Sequence, residues 1–211
     1  MKLLRLATTL NSTSAPYNQF SLGFRNSIDQ TYCSFLPNEL SIKHGIKAHN
    51  GNGSILKMIK LIKNLISHND YDVVHIHSGI TGIIFLISIF PFRVQMLNRT
   101  LFTLHNSWST LKLRNQILNF IVMLVSKKIC TCGVACKKSI PKIIIIFIEK
   151  KTTSVVNGFD HNRIDIIKNN KRDIRFFSEN SKIKILYVGA LNNTKNQISL
   201  LKVLKHIKLK A

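Results

Sequence analysis

The chain has 211 residues, of which 45% are hydrophobic, so it carries enough apolar side chains for a sizeable core, and wholesale disorder is excluded. Its 31 Lys and Arg residues against 9 Asp and Glu residues give a formal net charge of +22, with the lysines spread along the whole length among Ile and Asn. No basic stripe carries interleaved aromatic residues, which argues against a dedicated nucleic-acid-binding protein.

The first third of the chain predicts two strands and one amphipathic helix. The apolar run Leu3–Thr8 predicts a buried strand, and Tyr32–Leu36 predicts a second. Residues 51–53, Gly-Asn-Gly, mark a loop, and Ser54 can cap the helix that follows. In that helix, Ile55–Ser67, apolar residues recur at helical spacing and lysines occupy the other face.

From Val73 onward, strands alternate with helices. The predicted order is strand Val73–His77, helix Ile80–Phe90, strand Leu101–Leu104, helix Arg114–Ser126, strand Ile129–Cys132, helix Cys136–Ile148 interrupted early by Pro141, and a strand end at Val155–Val156. Such alternation is typical of a parallel sheet covered on both faces. The sequence therefore predicts an α/β fold with a doubly wound, Rossmann-like parallel sheet, which binds ligands beyond the carboxyl ends of its strands.

A change of composition predicts a domain boundary near residue 160. We expect residues 1–160 to form the Rossmann-like domain and the polar residues 161–181 to form a linker. Residues 182–211 then start an incomplete second α/β domain, with a strand at Ile183–Val188 and a helix at Ile198–Ile207. One strand and one helix cannot bury their own faces, so this piece must dock on something else.

The targeting signals and cysteines favour a cytoplasmic protein. The N-terminus has no sustained apolar segment and makes a poor signal peptide. The apolar runs Ile80–Phe92 and Ile143–Ile148 are shorter than the ~20 residues that span a bilayer, so no transmembrane segment is expected. The chain has four cysteines, Cys33, Cys130, Cys132 and Cys136, which fit a reducing compartment better than a disulfide framework. The last three form a cluster that core packing explains better than a metal site.

Polar residues follow the predicted strands and should meet at one edge of the sheet. They lie at residues 11–17, 77–79, 105–107, 157–158 and 189–195. Imidazoles, amides and helix N-termini of this kind suit hydroxyl groups and a diphosphate. The sequence lacks a Gly-x-Ser-x-Gly elbow, which argues against a hydrolase triad, and it lacks a Walker phosphate loop and a Gly-x-Gly-x-x-Gly fingerprint, which argues against a P-loop enzyme. No carboxylates are paired in these loops, which argues against a two-carboxylate glycosidase.

A series of short motifs carries a family resemblance. In chain order they are Tyr-Asp-Val-Val-His-Ile-His-Ser-Gly, Leu-Phe-Thr-Leu-His-Asn-Ser-Trp, Lys-Leu-Arg-Asn, Val-Val-Asn-Gly-Phe-Asp and Ile-Leu-Tyr-Val-Gly-Ala-Leu-x-x-x-Lys. The chain thereby resembles glycosyltransferases of family four, which are retaining enzymes with the GT-B fold. The resemblance implies a first domain that chiefly holds the acceptor and a second that binds a nucleotide-sugar. It also implies a reaction without a metal or cofactor, the nucleotide-sugar being a co-substrate.

The resemblance assigns roles to individual residues. His105 matches the catalytic histidine that lies beside the transferred sugar, and His77 matches the second histidine of the His-x-His strand end. Lys195 matches the lysine that neutralises the donor diphosphate. The remaining implied residues are Ser78, Asn106 and Ser107 on the acceptor side and Asn157, Gly158 and Gly189 on the donor side. By itself, the strand residue His75 is better explained as a structural histidine.

Three departures from the family pattern bear on activity. Ser14-Ala15-Pro16 stands where the family has a Gly pair, and Ala190 stands where it has a basic residue. The family's acidic donor-binding motif would lie beyond Ala211, so the chain alone is expected to be inactive or nearly so.

The sequence leaves several functions open. One is sugar transfer to a glycan or lipid-linked acceptor, with a second chain completing the donor domain. The alternatives are a non-catalytic acceptor-binding module and a peripheral module that docks on the anionic inner face of the cell membrane. The high positive charge can also reflect a compositional bias toward Lys, Asn and Ile that leaves a solvated basic surface. Among the functions that this charge could serve, nucleic-acid binding is the least favoured.

Overall fold

The computed structural model describes residues 1–10, 27–37, 47–156, 185–189, 191 and 196–208. The strands in this part of the chain are β1 Lys2–Ala7, β2 Asp29–Ser34, β3 Lys47–Asn50, β4 Val73–Ile76, β5 Thr100–Leu104, β6 Lys128–Thr131 and β7 Thr152–Ser154. The α-helices are α1 Ile55–His68, α2 Gly79–Ile89, α3 Leu113–Val125, α4 Val134–Lys138, α5 Lys142–Ile148 and α6 Gln197–Lys208. Short 3-10 helices lie at Val94–Arg99, Trp108–Thr110 and Glu149–Lys151.

The described strands form one parallel sheet, which confirms the predicted fold class. Its seven strands lie in the order β3-β2-β1-β4-β5-β6-β7, and every pairing is parallel. The chain progresses outward from β1 to β3 and then returns to add β4 on the other side of β1. This reversal makes the fold Rossmann-like and places a crevice between the carboxyl ends of β1 and β4, where doubly wound sheets bind ligands.

Helix α1 follows the sequence prediction closely. Ser54 caps it, because the Ser54 side chain accepts a hydrogen bond from the Lys57 backbone N–H at 3.4 Å. The face that carries Met58 and Ile62 is buried, whereas Leu56 is 72% exposed. The apolar stripe therefore packs on the sheet, as the helical spacing indicates.

Other elements differ from the prediction in the second half of the domain. The interruption expected at Pro141 in the helix Cys136–Ile148 is confirmed, because Pro141 has no backbone N–H to donate within a continuous helix and lies at the N-cap of α5. The preceding helix, α4, begins two residues earlier than expected, at Val134. The strand expected to end at Val155–Val156 lies earlier, at Thr152–Ser154. Strand β3 was not predicted, since its sequence, Lys-Ala-His-Asn, has no apolar alternation.

The two faces of the sheet differ in polarity. The apolar core joins α1, α2, α3 and α5 to strand residues such as Leu4, Leu6 and Ile76. Side chains alternate along a strand, so Arg5 and His75, which are paired in register, lie on the opposite face. There the Arg5 guanidinium lies 5.6 Å from the centre of the Tyr32 ring. A hydrogen bond of 2.7 Å joins His75 Nε2 to Thr103 Oγ1, as expected of a structural histidine.

The chain divides into two compact units, Met1–His161 and Asn162–Ala211. In the second unit, the helix expected at Ile198–Ile207 is confirmed as α6. Residues 185–188 lie outside any strand, so the strand prediction is wrong over this part of Ile183–Val188, and residues 183 and 184 lie outside the described ranges. Among the described helices, none combines the length and hydropathy needed to cross a bilayer.

Candidate functional site

A cavity of about 420 Å³ lies at the carboxyl edge of the sheet, within the first unit. It opens at the point where the strand order reverses, the position expected for a ligand in this fold. Its lining comes from the segments that follow the strands and from α3: Thr8, Phe35, Leu36, His77, Ser78, Gly79, Ile80, Phe102, Thr103, Leu104, His105, Asn106, Leu111, Arg114, Asn115 and Asn119. The cavity therefore combines an apolar wall with hydroxyls, amides, imidazoles and one guanidinium.

Hydrogen bonds between hydroxyl groups join the ends of β1 and β4, the two strands between which the strand order reverses. Thr8 Oγ1 donates to Ser78 Oγ at 2.9 Å, and Ser78 Oγ lies 2.8 Å from Thr81 Oγ1. Ser78 has an extended backbone and caps α2 by accepting from the Thr81 N–H at 3.4 Å. The start of α2 is thus fixed against the end of β1, with Ser78 at the cavity.

Two histidines from neighbouring strands meet in the cavity. His77 follows β4 and His105 follows β5, and His77 Nδ1 lies 2.9 Å from His105 Nε2. Their rings are stacked, with centroids 5.2 Å apart and planes 18° apart. His105 Nδ1 lies 3.3 Å from the Cys132 sulfur, and Cys132 follows β6. A side-chain relay therefore crosses the ends of β4, β5 and β6.

Burial makes these rings neutral at pH 7. Desolvation lowers the pKa of His77 well below its usual value, and the nearby His75, His105 and Arg5 lower it further. Burial also lowers the pKa of His105. A neutral imidazole has one N–H donor and one acceptor nitrogen, so one ring of the pair donates and the other accepts.

Two tautomeric arrangements satisfy the relay. If His77 Nδ1 carries the proton, His105 accepts at Nε2 and donates from Nδ1 to the Cys132 sulfur. If His105 Nε2 carries it, His105 Nδ1 accepts from the Cys132 thiol, whose pKa burial raises. In both arrangements His77 Nε2 is buried without a hydrogen-bond partner in the described part of the chain. In either arrangement both rings stay neutral, and the position of one proton fixes the tautomer of the neighbouring ring.

Helix α3 contributes Arg114, Asn115 and Asn119 to the cavity, and sequence reasoning missed them as site residues. Arg114 and Asn115 belong to the Lys-Leu-Arg-Asn motif, to which no role was assigned. A usable signal was present, because Asn115 and Asn119 are four residues apart and therefore share a helix face. Asn119 stands within an otherwise apolar stretch and is 7% exposed.

The structure brings most of the predicted acceptor-side residues together. His77, Ser78, His105 and Asn106 all line the cavity. Ser107 does not line it; it precedes the turn Trp108–Thr110, and its carbonyl accepts from Thr110 Oγ1 at 2.7 Å. On the donor side, Gly189 lies in a bend of the second unit. The other donor-side residues, Asn157, Gly158 and Lys195, lie outside the described residues.

The cysteines have different surroundings. Cys136 belongs to the apolar core, as predicted, and Cys33 also belongs to it. Cys132 instead contacts His105, because the pairing of β5 with β6 places the two loops side by side. In the described residues, no three His, Cys, Asp or Glu side chains are grouped so as to hold a metal ion.

The lining suits a ligand rich in hydroxyl groups. Neutral imidazoles, hydroxyls and amides can each donate or accept a hydrogen bond, and the lining contains no Asp or Glu that could act as an acid or a nucleophile. The fold and this cavity are the basis for assigning a function, since the sequence matches no protein-family model and no curated protein.

Proposed function

We propose that the cavity is the acceptor site of a retaining glycosyltransferase that uses a nucleotide-sugar donor and a glycan or lipid-linked acceptor. The observation that carries the proposal is the pairing of His77 with His105 at 2.9 Å in the cavity at the strand reversal. These residues hold the positions for which the motif resemblance predicts contacts with acceptor and transferred sugar. A doubly wound sheet supports the proposal at the level of the fold.

In this reaction the histidines act as neutral hydrogen-bonding groups. His105 orients a hydroxyl of the transferred sugar, and His77 fixes the tautomer of His105 through the shared hydrogen bond. Without a carboxylate in the lining, the reaction depends on stabilising the departing diphosphate. We assign that role to Lys195, with Gly189, Asn157 and Gly158 on the donor side. The reaction requires a complete nucleotide-sugar-binding domain on the donor side, and the proposal includes no metal or cofactor.

Replacing His105 tests the proposal. The purified protein is mixed with a separately expressed nucleotide-sugar-binding domain, radiolabelled nucleotide-sugars and glycan or lipid-linked acceptors, and transfer is measured. We expect His105→Ala to lower the transfer rate about 100-fold or more, as for other lost transition-state donors. His68→Ala, on the exposed face of α1, is the matched control and should keep the parental rate. Equal rates for His105→Ala and the parent, or no transfer from any donor, would contradict the proposal.

A surface feature favours a second function, docking on an anionic membrane. Helix α5 presents Ile143, Ile146 and Phe147 to solvent, with exposed fractions of 71%, 74% and 64%. Lys142 begins the helix and Lys150 follows it, within a chain of net charge +22. Apolar side chains flanked by lysines bind at the interface of anionic bilayers. We propose that α5 holds the protein at the inner face of the cell membrane, with or without catalysis.

Vesicle binding tests this second function. The protein should co-sediment with phosphatidylglycerol vesicles and not with phosphatidylcholine vesicles, and Ile146→Asp with Phe147→Asp should abolish the binding. Leu56→Asp, at an equally exposed apolar position on α1, is the control and should bind like the parent. Retained binding by the double variant would show that α5 is not the docking element.

A further inference from the structure

The wall that α3 contributes to the cavity contains an amide side chain without a protein partner in the described part of the chain. Asn119 is 7% exposed and lines the cavity, and its side chain makes no hydrogen bond within the described part of the chain. The Asn119 amide therefore keeps its hydrogen-bonding capacity for whatever occupies the cavity, either water or a ligand.

The charge of this wall is positive and uncompensated. Arg114 lines the cavity beside Asn115, and none of the lining residues is acidic. The ion pairs in the described residues, Arg99 with Asp70 and Lys137 with Glu149, do not include Arg114. The histidines opposite contribute no charge near neutral pH. Arg114 therefore sets the sign of the potential in the cavity, and it favours an anionic ligand.

The first turn of α2 meets the same wall. A Cβ atom on Gly79 would lie 2.6 Å from Asn119 Oδ1 and 2.8 Å from the Asn119 backbone nitrogen, so only glycine allows α2 to approach α3 this closely. Gly79 and Ile80 line the cavity, and as the first residues of an 11-residue helix their N–H groups have no partner within it. The positive end of the helix dipole thus adds to the charge of Arg114.

We propose that Arg114, Asn119 and the first turn of α2 bind a phosphomonoester group, so that the ligand of this cavity is phosphorylated. A guanidinium fork, an amide and two backbone N–H groups supply donors from separate directions, which matches the several oxygens of a phosphate better than a planar carboxylate. The remaining space, in a cavity of about 420 Å³, accommodates a polyol held by His77, Ser78 and Asn106. The identification of this ligand as the acceptor rests on the proposed function, whereas the inference that the cavity binds a phosphate group does not.

Calorimetry with sn-glycerol 3-phosphate at low ionic strength tests the site, with glycerol as the phosphate-free control. We expect binding of the phosphate ester only, weakened about tenfold or more by Arg114→Gln and by Asn119→Asp, because each removes or opposes a charge-assisted hydrogen bond. Arg93→Gln, which removes an exposed arginine outside the cavity, should leave the affinity unchanged. Far-ultraviolet circular dichroism establishes that each variant is folded.

Vesicles that contain phosphatidic acid present the same phosphomonoester group on a lipid, so they distinguish a lipid ligand from a soluble one. Binding of the soluble ester alone indicates a soluble phosphorylated ligand, and Arg114-dependent binding of the vesicles alone indicates a lipid headgroup. Binding of neither, or equal binding by the parent and Arg114→Gln, overturns the inference. Phosphate binding without sugar transfer would refute the proposed function and leave the phosphate site in place.

Discussion

His75 and His77 lie two residues apart on one face of the sheet, with their ring centroids 3.9 Å apart, yet they have different partners. Thr103 bonds to His75 inside the sheet, whereas His77 reaches His105 at the cavity. The sequence placed His75 within a strand and His77 just beyond the end of it, and the structure has both residues at these positions. Arg114 and Asn119 escaped prediction, because the helical spacing shows only that Asn115 and Asn119 share a face, and the packing of α3 against α2 is needed to place that face at the edge.

Titration of His75 should make the fold sensitive to acid. Burial lowers the pKa of His75 to about 3, while an unfolded histidine titrates near 6.5. Between these values the unfolded chain binds a proton that the folded protein does not, so stability falls as pH drops, by up to about 1.4 kcal/mol per pH unit for this residue. We expect urea unfolding between pH 7.5 and 5 to show this decline and His75→Gln to flatten it. If the free energy of unfolding fell equally steeply with pH in the parent and in His75→Gln, His75 would not be the titrating group.

At the scale of elements, the sequence predicts a helix or strand accurately where its apolar residues recur at a regular spacing. Helix α1 was located almost to the residue, because its apolar spacing and its serine cap agree. Strand β3 lacks such a pattern and is held by its pairing with β2, a long-range contact that local sequence does not encode. The cavity depends on the same kind of contact, since α2 and α3 must approach closely to form its wall.

The approach of α2 to α3 at Gly82 should be intolerant of a methyl group. A Cβ atom there would lie 2.5 Å and 2.7 Å from the two Val122 methyl carbons. We expect Gly82→Ala to destabilise the protein by about 1–3 kcal/mol through overpacking. In a Val122→Ala background the added methyl group has room, so its cost should fall by about 1 kcal/mol or more. Chemical denaturation of the four proteins gives this coupling, and additive costs would show that the helices do not meet at these residues.

For the whole molecule, alternation of strands and helices was sufficient to predict a doubly wound parallel sheet. Residue pattern alone did not predict that one face of this sheet carries a cluster of polar side chains, because strands such as Lys2–Ala7 are apolar apart from Lys2 and Arg5. The polarity of this face depends on the register of the strands, which places Arg5, Tyr32 and His75 side by side on three neighbouring strands. The donor side remains a prediction from motifs, as its key residue, Lys195, lies outside the described part of the chain.

The segment Ile185–Val188 has a consequence for handling the protein. Its side chains lie outside any strand and are 45–84% exposed, and a run of this composition readily forms intermolecular β-structure. The net charge of +22 keeps copies apart in dilute buffer by mutual repulsion. Added electrolyte shortens the range of that repulsion and leaves the attraction between apolar segments intact. Concentrated stocks should therefore stay clear in low-salt buffer and turn cloudy as salt is raised.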